Sequence, residues 1–160
     1  MLQYAGFWRR LAAISLDSVL IVTLTAPVLY LIYGHNYFYW LATRLDLLNV
    51  FGVWDLLLTR ALPVLALLVM WHTMGATPGK ILMHCRLVDE TTLGLPGKRQ
   101  SVIRLLGYFV SSLPLYLGFF WIGWDKRKQG FHDKLAKTLV LHKPDDYAAQ
   151  SLEELMDQVA

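Results

Sequence analysis

The chain has almost no cysteine. Cys85 stands alone, which excludes an intrachain disulfide and leaves no thiolate cluster to hold zinc. Charge is also scarce: Asp, Glu, Lys and Arg make up 17% of the 160 residues, whereas 56% are hydrophobic, above the roughly 45 to 50% apolar usage of soluble domains. Such a chain needs a solvent other than water, and its apolar residues run in long blocks with most charges between and after them. The net charge is only +3, and no polar segment alternates basic residues with a stacking platform, so nucleic acid is not expected as a partner. His35, His72, His84 and His142 have no histidine four residues away, so no metal or other cofactor is expected. A cleavable leader is not expected either. Residues 11–33 form a 23-residue apolar run that contains Asp17 and ends in no small-residue cleavage site, and it is longer than a secretory h-region.

What the chain does have is length in its apolar runs. At about 1.5 Å per residue, residues 11–33 cross a hydrocarbon core of about 30 Å with some tilt. Pro27 frees the carbonyl of Thr23 and predicts a kink, with the Thr23 and Thr25 hydroxyls as local compensation. Residues 35–53 mix Tyr37, Phe38, Tyr39 and Trp40 with Arg44 and Asp46, which predicts an interfacial helix along the headgroup boundary. The second span covers residues 54–74, anchored by Trp54 and Trp71, and Arg60 within it is expected to snorkel outward. A polar connection follows, punctuated by Gly75, Gly79, Gly94, Pro96 and Gly97. In it Ile81, Met83, Cys85 and Leu87 alternate, which predicts a strand over residues 81–89, a turn at 94–97 and a small cytoplasmic β-hairpin. Residues 138–141 are a second candidate strand that could pair with 81–89.

The third apolar block, residues 101–124, carries Arg104 near its start and Ser111, Ser112 and Pro114 near its middle. Basic residues cluster at Arg9 and Arg10, at Lys80, Arg86, Lys98 and Arg99, and at Lys126, Arg127, Lys128, Lys134, Lys137 and Lys143. The positive-inside rule draws all three clusters to the cytoplasm, but a straight third crossing would export the last. Either Pro114 divides the block into a re-entrant hairpin, which the charge count favours, or the block is a third span with an external C-terminus. Residues 143–160 hold Asp145, Asp146, Glu153, Glu154 and Asp157 with Leu152, Leu155, Met156 and Val159 at helical spacing. This is an acidic amphipathic tail, either solvated or docking a partner. The domain limits read as 1–143 for the membrane domain and 144–160 for the tail.

A carboxylate inside a span costs on the order of 2.5 to 3.5 kcal/mol on insertion scales, so Asp17 requires a partner or a function. Arg10, seven residues earlier, shares its helix face but lies about 10 Å away along the axis. Arg104 enters the third block at a comparable depth. The expectation is an intramembrane charge network in which Asp17 pairs with Arg104, with Arg10 nearby, holding the first and third helices together. Two roles stay open: structural glue, whose disruption costs about 3 to 5 kcal/mol, or a protonatable transport or gating site.

Two motifs need weighing. Gly75, Thr77, Gly79 and Lys80 resemble a phosphate loop, but three residues rather than four separate the two glycines, and Ile81 follows the lysine. Nucleotide binding is therefore rejected in favour of a tight turn ending the second span. His132 and Asp133 invite a proton relay from Asp17, but neither Ser111 nor Ser112 sits in an elbow motif, so no catalytic triad is expected. The blander reading is that Asp133 pins a short helix starting near Phe131.

These residues in this order resemble the RDD family of bacterial membrane proteins, named for one arginine and two aspartates. Phe7, Trp8, Arg9 and Arg10 precede Leu11, Ala12, Ala13 and Asp17; Gly75, Thr77, Gly79 and Lys80 follow a span; Arg104 opens the third block; Asp125 to Leu135, with Thr138 and Val140, closes the domain. The resemblance covers roughly residues 4–141, and by position the family arginine is Arg10, its first aspartate Asp17 and its second Asp133. It implies a multi-span membrane domain, and some members are associated with cation and proton exchange. The expected fold is an all-α transmembrane bundle: two full spans, the Pro-broken third block, the interfacial helix and the small β element. The charge network of Arg10, Asp17 and Arg104 and the cytoplasmic-side motif of Gly79, Lys80, His132 and Asp133 are the candidate site residues. The expected protein is a multi-pass, non-enzymatic component of a bacterial inner membrane with a cytoplasmic N-terminus. In the bilayer it would support ion or small-solute transport as a homo-oligomer or a subunit of a larger complex; the alternative is an accessory or assembly subunit without transport.

Overall fold

The computed structural model describes residues 3–43, 50–112 and 117–142. Helix α1 (Phe7–Tyr33) runs unbroken for 27 residues, about 40 Å at the standard rise. A second long helix, Val53–Thr73, consists of α3 (Val53–Leu56), a π-helical turn (Leu57–Ala61) and α4 (Leu62–Thr73). Both are long and apolar enough to cross a membrane, and little of either is buried within the protein. Val19, Leu24, Leu31 and Leu65 stand more than half exposed, a surface that lipid solvates and water does not. Pro27 does not interrupt α1. The Thr23 and Thr25 hydroxyls donate to the carbonyls of Val19 and Ile21, one turn back, not to the carbonyl that Pro27 frees.

Gly34, with φ of 68°, turns the chain from α1 into α2 (His35–Thr43), the described part of the expected interfacial helix. Arg44 and Asp46 lie outside the described residues. Beyond α4 the chain forms α5 (Pro78–Leu82) and then β1 (Cys85–Asp89). The strand expected over 81–89 is therefore shorter at its start. Pro78 at the first helical turn presets φ for α5, and His84, with φ of 52°, ends the turn before the strand begins.

The third block forms α6 (Lys98–Ser112) and α7 (Leu117–Trp124), whose axes differ by 100°; Pro114 lies outside the described residues. After α7 come α8 (Phe131–Ala136) and β2 (Thr138–His142). β2 pairs antiparallel with β1, Leu87 opposite Val140, so the two-stranded sheet joins segments far apart in sequence. The 94–97 segment does not close a local hairpin. The third block is thus bent rather than straight, as a broken span or a re-entrant loop would be, and the strand pairing brings together the chain before and after it. Tyr4 bridges to Leu141, and the Ala5 amide donates to the Val140 carbonyl. Ala5, Trp71, Cys85, Leu87 and Val140 form the core under this sheet. The tail expected over 144–160 lies outside the described residues.

Candidate functional site

The charged residues gather where α1 begins, α4 ends and α6 meets α8, and their pairing differs from the expected one. Asp133, fully buried, is the carboxylate at the centre. Arg10 Nη1 donates to its Oδ2 at 2.5 Å, and Arg104 pairs with its Oδ1. Arg10 also donates through Nε to the Ala5 carbonyl (2.9 Å) and through Nη2 to the Lys128 carbonyl (2.6 Å). Arg104 donates to the Thr138 hydroxyl at 2.8 Å, and its guanidinium lies over the rings of Trp71 and Tyr108. Burial would raise the Asp133 carboxyl, but Arg10 and Arg104 outweigh it and hold the group well below the usual carboxylate range. The expected helix-pinning role is present as well. Asp133 Oδ2 accepts the amide of Gly130, the residue capping α8. One carboxylate therefore ties α1, α6, α8 and β2 together.

Asp17 does not pair with Arg104, and Arg10 points away from it. Its Oδ2 accepts the Thr77 hydroxyl at 2.5 Å and its Oδ1 the Gly79 amide at 2.7 Å. Asp17 makes no ion pair among the described residues. The physical reason is helix termination: α5 exposes free amides at its start, Thr77 makes no capping bond of its own, and a carboxylate from α1 fills the place. This explains the Gly-x-Thr-x-Gly-Lys run. Thr77 and Gly79 bind Asp17, and a methyl group on Gly79 would overlap the Ala13 carbonyl of α1. A glycine lets α6 approach α8 in the same way: a methyl group on Gly107 would sit 2.9 Å from the His132 Cα.

His132 is buried beside Asp133. The Ser111 hydroxyl oxygen accepts the His132 amide and lies 3.1 Å from Nδ1, and Nε2 faces Asp133 Oδ1 at 3.5 Å. Ser111 is fully buried, so this contact offers no nucleophile to a substrate. Burial pushes the imidazole down to about 3, with Arg104 and Arg10 adding to the effect and Asp133 opposing it. The ring is neutral at ordinary pH and, with Tyr108 and Phe119 against its faces, is a packed core histidine rather than a relay.

Lys80 completes the group. It is 6% exposed and lines a cavity of about 400 Å³ whose other charged walls are Arg10, Asp17 and Arg104. Its ammonium lies 5.2 Å from the Trp71 ring and makes no hydrogen bond or ion pair among the described residues. Burial, reinforced by Arg104 and Arg10, lowers it to about 7.

Asp55 is a functional candidate that sequence reasoning passes over. It is 3% exposed at the opposite end of the long helices, where it accepts the Tyr37 hydroxyl at 2.7 Å, the Phe51 amide at 3.0 Å and the Thr59 hydroxyl. Its position three residues after Gly52, at the start of a span, is the available signal.

Several known proteins resemble the chain. An uncharacterized protein of Rickettsia prowazekii is 32% identical over 71 residues, 44% of this chain and 39% of its own length. A proline-rich antigen homolog of Mycobacterium tuberculosis is 33% identical over 67 residues, 42% of this chain and 28% of its own. The matched region thus spans well under half of either relative. The uncharacterized protein YxaI of Bacillus subtilis is 24% identical over 153 residues, covering 87% of this chain and 97% of that protein. No solved structure matches. The RDD family model matches residues 4–137, a stretch that contains both long apolar helices and Arg10, Asp17 and Asp133, so this chain is a membrane protein of the RDD family.

Proposed function

We propose that the chain is a non-enzymatic, multi-pass component of a bacterial cytoplasmic membrane that supports passage of an ion or small solute as part of an oligomer or larger complex. The single observation behind this reading is the contrast between the two family aspartates. Asp133 is neutralised by two guanidiniums, whereas Asp17, in an apolar span, is held only by a hydroxyl and an amide beside a cavity. An intramembrane carboxylate without a cation of its own is a place for a mobile ion or proton to visit. Two long helices and a bent third block are too few to enclose a path alone, which favours self-association or a larger partner. Arg9, Lys80, Arg86, Lys98, Arg99 and the 126–128 cluster share one end, and the positive-inside rule favours the cytoplasm for that end and for the N-terminus.

The test is cation and proton flux into liposomes containing only this protein. Flux in the wild type that falls at least tenfold in Asp17→Asn is the expected result, and flux unaffected by the substitution removes Asp17 from any pathway. A second reading, an accessory or assembly subunit without transport, draws on the triad of Arg10, Asp133 and Arg104, whose two ion pairs join α1, α6 and α8. Absence of flux together with co-purification of a fixed partner would favour it.

A further inference from the structure

The cavity between α1, α4, α6 and α7 has a charged floor and apolar walls. At the floor stand three cations, Arg10, Lys80 and Arg104, and one carboxylate, Asp17; with Asp133 paired to the two arginines behind them, one positive charge is left in excess. His132, held neutral, does not change the count. Arg10 spends its donors on Asp133 and two carbonyls, and Arg104 pairs with Asp133 and Thr138 and keeps its buried Nε without a hydrogen-bond partner among the described residues. Lys80 spends none on a described residue, although it is more than nine-tenths buried and lines the cavity. A buried ammonium that feels Asp133 and Asp17 only at a distance and makes no ion pair or hydrogen bond of its own is costly, and an anion in the cavity would supply both a direct counter-charge and the missing acceptors. The walls limit what carries that anion. Ile14, Ser18 and Ile21, spaced along one stripe of α1, line the cavity with Leu67 and Phe119, and Ile14 is half exposed on the apolar flank of the bundle. A free, fully hydrated anion gains nothing from such walls, whereas an acyl chain does.

We propose that this cavity binds an anionic amphiphile, its singly charged phosphodiester headgroup on Lys80 and its acyl chain along the Ile14 and Ile21 stripe of α1. The site is independent of whether the protein conducts. An anionic headgroup beside Lys80 opposes the burial that lowers it to about 7 and favours its charged form.

The experiment is thermal unfolding of the full chain in a neutral detergent, with added phosphatidylglycerol, phosphatidylcholine or inorganic phosphate. Phosphatidylglycerol at about ten times its dissociation constant is expected to raise the midpoint of the wild type and of the exposed control Lys98→Met by about 3 °C. Phosphatidylcholine is expected to have no such effect. In Lys80→Met the shift is lost. That variant should fold, since it removes an unpaired buried charge and keeps the side-chain length. Ile14→Trp leaves every charge in place, narrows the mouth and should cut the shift by at least half, so the test stands even without the lysine variant. A full shift in Lys80→Met, or none in the wild type, overturns the site. An equal shift from inorganic phosphate alone overturns the amphiphile.

Discussion

The two ends of the long helices solve the same problem with different chemistry. Where α1 begins, distant segments are joined by ion pairs: Arg10 and Arg104 on Asp133, with Asp17 capping α5. Where α1 ends, rings do the joining. Tyr33, Tyr37, Trp40 and Phe51 pack against one another with centroids 5.1 to 6.2 Å apart, and Asp55, a buried carboxylate among them, takes neutral hydroxyl and amide donors. Burial, then the Asp55 carboxylate, hold the Tyr37 hydroxyl firmly protonated. The difference teaches where each end is brittle. The ionic end depends on a charge count, so losing one charge strands another; the aromatic end depends on area and loses stability in small steps.

Asp133→Asn strands two buried guanidiniums and is expected to cost about 3 to 5 kcal/mol in denaturant unfolding, the largest effect of any single polar substitution here. Lys80 gives the ionic end a pH dependence. The unfolded lysine keeps its proton to about 10.5 and the folded one only to about 7. Between those pH values the unfolded chain binds more protons, so stability rises with pH by up to about 1.4 kcal/mol per unit. Unfolding free energies at pH 7 and pH 9 check this, and Lys80→Met should flatten the slope. At the aromatic end, Tyr37→Phe keeps the ring and removes one donor from Asp55, for an expected loss of about 1 to 2 kcal/mol in the same assay. Glu90→Gln breaks the exposed pair with Arg127, and its cost should stay below about 0.5 kcal/mol. Should Tyr37→Phe prove as damaging as Asp133→Asn, the contrast between the ends collapses.

Much of the frame is legible in the amino-acid sequence, because length and hydropathy determine it. Both spans, the helix after Tyr33 and the strand character of the 81–89 and 138–141 segments follow from local pattern, whereas their pairing across the third block competes in the sequence with a local hairpin. The role of Asp133 in starting α8 is legible too, since capping is a local matter. The partner of Asp17 is not. Depth along a helix can be counted from sequence, but the direction a side chain faces depends on helix rotation, and here both arginines face Asp133 of α8 while Asp17 faces the start of α5. The end of α5 reads as strand because Ile81, Met83 and Cys85 alternate, while the carboxylate that caps the start of this helix comes from 62 residues earlier. Asp55 is easily overlooked beside Trp54, where a span's first turn looks like an interface anchor and nothing more.

The partnership of Arg10 and Asp133 spans 123 residues of chain. At about 5 to 20 residues per second, a ribosome takes on the order of 6 to 25 s to travel from one to the other. Throughout that interval the first helix has its guanidinium without its acid, so that charge must wait among headgroups or water. The ion triad therefore cannot close until α8 has been made, and a chain truncated before residue 133 would leave its first helix permanently unlatched.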